Sequence, residues 1–222
     1  IADKIYFKFA VGSNYFFEVA KLRAFRYLWQ LILAQYNKES DAFIFTSTSE
    51  RNKSKLDIYN NVIRTTLEAS SAVFGSSDAV FVNSYDEVNN ETDFGLELAA
   101  KQQLLLQKES YLNQFTDPAA GSFYIESLTN QMAENALELF KTIQQAGGFV
   151  KALESETIQD FVYSSAKKEQ HDFDEQITKL IGVNKYRNTA DVIKKTPEEN
   201  VVKQALFIPI VPTRLAEKEE RK

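Results

Sequence analysis

The groups in this chain that could carry out chemistry are few. His171 is the sole histidine, set among charges in KKEQHDFDEQ, and cysteine is absent. A Ser-His-Asp arrangement would have to use His171, and no G-x-S-x-G turn accompanies it. With no apolar pocket around it to shift its proton affinity, His171 reads as a solvated surface residue. Without a second histidine or any thiolate, no soft-metal site is expected. Phosphate cradles are missing too: neither G-x-G-x-x-G nor G-x-x-x-x-G-K-[ST] occurs, and the 7 glycines are scattered. Gly75-Ser76-Ser77 could hold an anion, but a helix C-cap feeding a strand is the commoner reason for such a turn.

Carboxylates are plentiful, and position selects among them. Asn83, Asp86 and Glu87 follow the apolar run AVFVN (79–83). If that run is a parallel strand, these residues stand at its C-terminal end, where functional clefts form. The competing reading is ordinary turn and cap chemistry for Asn and Asp. Asp117 lies in FTDPAAGSFYIESLTNQ (115–131), a compact corner between two polar helical stretches.

The elements that must hold these residues follow from periodicity. KIYFKFAVG (4–12) reads as a strand, and from Asn14 to about Tyr36 apolar residues recur at three and four, as on an amphipathic helix. AFIFTS (42–47) is a second strand. Ser54-Lys55-Leu56-Asp57 has the capping-box spacing and predicts a helix from there to Gly75. AVFVN is a third strand, and Thr92 or Asp93 opens a helix to about Ser110. After the corner, Ile125 to Ile143 predict a long helix ending at Gly147-Gly148, and 149–181 read as helical again. The end, FIPIVPTRLAEKEERK, reads as a proline-punctuated linker with a charged tail. The aromatic stripe Tyr6, Phe7, Phe9, Phe16 and Phe17 is expected in the core. Strands this apolar are expected to be covered on both faces, as in parallel α/β sheets. Three βα units cannot close an eight-stranded barrel, which leaves a small open sheet or part of a barrel completed elsewhere.

Bulk properties narrow the class. At 222 residues and 44% hydrophobic, the chain can bury a real core. A net charge of −5 argues against nucleic acid or an anionic membrane surface as partner. No run reaches the roughly 20 apolar residues of a membrane span, and no signal peptide is visible. The lack of cysteine fits a reducing cytoplasm.

Five stretches together resemble the methylmalonyl-CoA mutase family: GSNYFFEVAKLRAFRYLW (12–29), DIYNNVIRTTLEASSAVFGSSDAVFVNSYDEV (57–88), TDPAAGSFYIESLTNQMAENA (116–136), AGGFVKAL (146–153) and GVNKYRN (182–188). They run in family order to about residue 190. The resemblance implies the C-terminal part of a (β/α)8 TIM barrel, about three βα units in residues 1–115. A helical extension outside the barrel (116–190) and a linker or tail (191–222) would follow. The family's D-P-W-G-G-S-[YF] corner is matched with Ala119 and Ala120 in place of Trp and Gly.

Other positions depart from the family. Where catalytic members carry R-T-H-S-Q on the penultimate strand, this chain has Phe43-Ile44-Phe45-Thr46-Ser47. Rings there cannot bind a carboxylate or a phosphate. The family's coenzyme A-contacting R-x-S reads Lys4-Ile5-Tyr6. Asn83 and Glu87 match positions that approach the cobalamin, and the cobalt-ligating D-x-H-x-x-G motif is absent. A kept scaffold with erased ligands resembles the small (beta) subunit of the heterodimeric bacterial enzymes, with no catalytic or metal-binding residues of its own. Adenosylcobalamin would then be held by the large (alpha) subunit, the implied partner. A catalytic acyl-CoA mutase fragment and an unrelated α/β scaffold or binding module are the alternatives. An incomplete barrel would also leave bare strand edges and self-associate.

Overall fold

The computed structural model describes residues 4–191, 193 and 206–221. The element order is β1 (Tyr6–Val11), α1 (Tyr15–Gln35), β2 (Phe43–Thr48), α2 (Asn60–Phe74), β3 (Ala79–Phe81), α3 (Asp93–Lys108), α4 (Phe123–Gln145), α5 (Phe149–Glu154), α6 (Thr157–Asp174) and α7 (Glu217–Glu220). The strands form one parallel sheet in the order β1-β2-β3, with Tyr6 opposite Phe43 and Phe45 opposite Ala79. The chain is therefore the expected α/β class, with a helix after each strand.

Strand alternation divides the sheet into two unlike faces. Val11, Ile44 and Val82 are buried on the helix side, and Phe7 and Phe9 pack there on Phe25 and Trp29. Leu22 and Ala72 close that layer from α1 and α2. The opposite face carries Tyr6, Phe43 and Phe81, all exposed. Two expectations are corrected here. The strands are covered on one face, not both. Of the aromatic stripe only Phe7 and Phe9 join the core, because Tyr6 falls on the other side of the pleat and Phe16 and Phe17 lie exposed at the start of α1.

The corner at 115–122 is an anchor. Arg23 of α1 donates to both Asp117 and Glu126, the latter at 2.6 Å, and Gly121 N donates to Glu126 Oε1 at 3.0 Å. Ala119 is buried with Val19 and Ile125, beside Tyr15 and Phe74. One arginine thus sets how α4 leaves the sheet layer and lies along α1. A second anchor sits past the strand ends, where Leu56, Phe173, Leu180, Val183, Leu215 and Ala216 form a separate buried cluster.

Two helix boundaries differ from the periodic reading. Ser54 does not cap α2; its hydroxyl accepts from Leu56 N within the preceding loop, and the helix starts at Asn60. Asn61 explains the delay, since its amide holds Ser54 O and Ser54 N and keeps that residue in the loop. The stretch 149–181 is not one helix. Glu156 takes a left-handed conformation (φ 61°) between α5 and α6, and Leu153 O accepts from both Glu156 N at 3.2 Å and Gln159 Nε2 at 3.1 Å. Helix α6 ends at Asp174.

Candidate functional site

The polar residues that follow β2 and β3 meet at the C-terminal ends of the strands. Asn83 N donates to Thr48 Oγ1 at 2.9 Å, tying the end of β3 to the end of β2. The Asn83 side chain hydrogen-bonds the Glu87 carboxylate. The two residues singled out from the sequence are therefore in contact. Glu87 is exposed by surface area, yet its proton affinity is raised. Burial of the carboxyl is the main cause, with repulsion from Glu50 and Glu91 behind it; Asn83 and Lys53 oppose the shift.

Asp86 is committed elsewhere. It is buried, accepts from the Ser84 hydroxyl, and accepts from Thr92 Oγ1 at 2.5 Å. Thr92 in turn caps α3 by accepting from Gly95 N at 3.0 Å. This is the turn-and-cap role, and it explains Gly95: a Cβ there would lie 2.2 Å from both Ser84 Oγ and Asp86 Oδ1. Gly95→Ala is expected to break that network and cost about 2 kcal/mol, the sum of modest overpacking and a lost buried hydrogen bond. A urea midpoint unchanged by the substitution would contradict this role for Asp86.

The sequence reading passed over the most buried charges at the strand ends. Lys53, in the β2–α2 loop, and Glu68, on α2, are 3% and 1% exposed. Lys53 Nζ donates to both Glu68 oxygens at 2.7–2.8 Å, to Ser49 O at 2.7 Å and to Asn52 Oδ1 at 2.8 Å. Asn52 Nδ2 returns a bond to Glu68 Oε1 at 2.7 Å. Burial lowers the proton affinity of Lys53 and raises that of Glu68, while their mutual attraction opposes both shifts. A signal existed: Glu68 shares a helical face with Asn61, Thr65 and Ala72, all fully buried.

The bare face of the sheet meets these groups at its upper rim. Its rows read Tyr6–Phe43, Lys8–Phe45–Ala79 and Ala10–Ser47–Phe81. Tyr6 meets Phe43 edge-on with ring centroids 5.3 Å apart, and Lys8 Nζ stands 5.8 Å from the centre of the Phe45 ring. Phe43 and Phe45 thus project onto the face that lacks helices. Lys8, the cation in these rows, leans on a ring. Such a surface offers little to a carboxylate, a phosphate or the amide fringe of a corrin, all of which need directed donors. These residues do not fit a resident cobalamin.

The remaining candidates fall outside this region. His171 is exposed on α6. Gly75 is the C-cap of α2, and the Ser76 and Ser77 hydroxyls donate to Thr116 O and to Ile44 and Ala79 carbonyls, so this turn is structural. Among the described residues no cluster of three or more His, Asp or Glu could hold a metal ion, and no helix is long and apolar enough to cross a membrane.

Comparison with known proteins bears on what such a surface is for. The sequence model of the family described as methylmalonyl-CoA mutase matches residues 1–207. The methylmalonyl-CoA mutase of Rhizobium meliloti is 38% identical over 191 residues, covering 84% of this chain and 27% of that protein. The methylmalonyl-CoA mutase small subunit of Porphyromonas gingivalis is 37% identical over 198 residues, 86% of this chain and 32% of that subunit. The large subunit from the same organism is 34% identical over 191 residues, 84% and 27% respectively. The chain thus spans between about a quarter and a third of the length of the curated relatives it matches.

Proposed function

This chain belongs to the methylmalonyl-CoA mutase family, and we propose that it is part of a small, non-catalytic subunit of an adenosylcobalamin-dependent mutase. Its role is to support a large subunit that interconverts methylmalonyl-CoA and succinyl-CoA. In this reading the three strands are neighbours in a (β/α)8 barrel within residues 1–115, 116–190 wrap its outside, and 191–222 are a linker or tail whose residues 213–220 lie back on the β2–α2 loop. The bare face is then the barrel interior, and the protein works in the cytoplasm.

One observation carries the proposal: Phe43 and Phe45 stand on the uncovered face, where a cobalamin mutase needs cationic hydrogen-bond donors. Adenosylcobalamin supplies the radical chemistry when bound, and here that belongs to the large subunit. The residues of this chain pack, seal and orient. Isolated, the chain would also self-associate through its ring-bearing face and free strand edges.

A second reading has a specific observation in its favour. Asn83 and Glu87 are in contact at the strand ends, as a site still approaching cofactor would require, so a catalytic acyl-CoA mutase fragment is the alternative. Co-expression of the full gene product with a large subunit separates the two. The proposal expects a stable complex with mutase turnover, and no corrin absorbance on the chain purified by itself. Corrin retained by the chain alone, or turnover without the large subunit, would sink it.

A further inference from the structure

Residues 213–220 return to the β2–α2 loop and hold its backbone at successive points. Leu215 N donates to Arg51 O at 3.0 Å, and Arg51 Nη1 donates to Thr213 O and Oγ1 at 2.9 and 2.6 Å. Arg214 Nη1 reaches Lys53 O at 3.2 Å, and Glu220 Oε1 accepts from Lys55 N at 2.8 Å. Arg214 also grips both Glu220 oxygens at 2.7 Å, which locks the two ends of the segment to each other. The loop so held contains Lys53, the buried cation at the strand ends.

The composition of this contact sets how it opens. Only Leu215 and Ala216 bury apolar side chains from the segment. The other attachments are polar: the Arg51–Thr213 bonds are exposed, and the Arg214–Glu220 pair with its bonds to the loop backbone is partly buried. A segment held mostly by hydrogen bonds, with little apolar packing, opens without unfolding the sheet.

We propose that residues 213–220 are a releasable strap that sets the β2–α2 loop, and with it Lys53, whatever the strand ends bind. Lifting the strap frees the loop backbone from Arg51 to Lys55. It also uncovers the apolar cluster of Leu56, Phe173, Leu180 and Val183. The Arg214–Glu220 pair is the clasp.

Native-state amide hydrogen exchange on the whole chain tests this, with Leu215 and Lys55 amides reporting the strap and β2 amides reporting the sheet. In the unmodified protein the strap amides are expected to exchange at least about tenfold faster than β2. Glu220→Gln should speed them about tenfold more, leaving β2 unchanged, because it removes charge from the contacts with Arg214, Lys55 N and the Ser54 hydroxyl. Arg214→Lys, which keeps the charge but loses the two-pronged grip, should give a smaller acceleration at the same two amides. Strap amides that exchange in step with β2, or that do not respond to Glu220→Gln, would overturn the proposal.

Discussion

Replacing Lys53 by Met is expected to destabilise the chain by about 3–5 kcal/mol, the cost of leaving a buried carboxylate without its counter-ion. Glu68 is 1% exposed and would keep only the Asn52 amide as a hydrogen-bond donor from the strand-end cluster. Glu68→Gln should cost less than Lys53→Met, since an amide still accepts from the ammonium. The double variant Lys53→Met/Glu68→Leu should recover most of the loss, because an apolar pair of similar volume removes both desolvation penalties. Urea denaturation of the unmodified protein, Lys53→Met, Glu68→Leu and the double variant closes the cycle, with Glu68→Gln measured beside it. If Lys53→Met shifted stability by less than about 1 kcal/mol, in the range of a solvated surface pair, the pair would not be buried in solution.

Gly182→Ala should be nearly as damaging, at about 2–4 kcal/mol, for a different reason. Gly182 has φ +83°, where a side chain adds backbone strain. Its missing Cβ would lie 2.6 Å from Asp57 Cβ and 2.9 Å from Asn60 Nδ2. Both lie in the DIYNN stretch before and at the start of α2, where Asp57 also has positive φ (45°). Neighbouring bonds fasten the same junction: Asn60 Nδ2 and Arg64 Nη2 both donate to Ile181 O, at 3.3 and 2.7 Å. Neither backbone can retreat without breaking these, so overpacking of the usual size adds to the strain. Gly121→Ala is the control. It has similar φ (+79°) but nothing within 4 Å of where a Cβ would stand, so it should show the backbone cost alone. Equal losses at the two glycines would show that contact with Asp57 contributes nothing.

This pair of sites shows where the sequence was readable and where it was not. DIYNN and GVNKYRN were both recognisable as stretches with family character, but more than a hundred residues separate them. No local pattern says that they touch. Periodicity failed at the same places for a related reason. Ser54 has the spacing of a capping box, yet Asn61 and Glu220 draw it into the loop. The stretch 149–181 reads as helical by its periodicity, but nothing in that period marks Glu156, whose left-handed turn divides it. The alternation in KIYFKFAVG did contain the division of Tyr6 from Phe7 and Phe9, and reading the run as one stripe hid it.

The candidate site divides along the same line. Asn83 and Glu87 were accessible from their place after an apolar strand, and they are in contact. Asp86 had the same credentials, but Ser84 and Thr92 occupy it. Lys53 and Glu68 escaped notice because charged residues usually signal solvent, and only a packed loop above α2 turns them inward.

By itself the sequence determined the order of βα units, the family, and the presence of rings in place of donors at positions 43 and 45. Those are properties of local periodicity and residue identity, which short-range sterics and side-chain chemistry enforce. The tertiary structure alone decided that these rings share the uncovered face, that Arg23 clamps the corner 94 residues away, and that Arg51 meets Thr213 across 162 residues. Such contacts form only when helix packing and strand register bring distant segments within hydrogen-bond reach, and chain spacing carries no record of them.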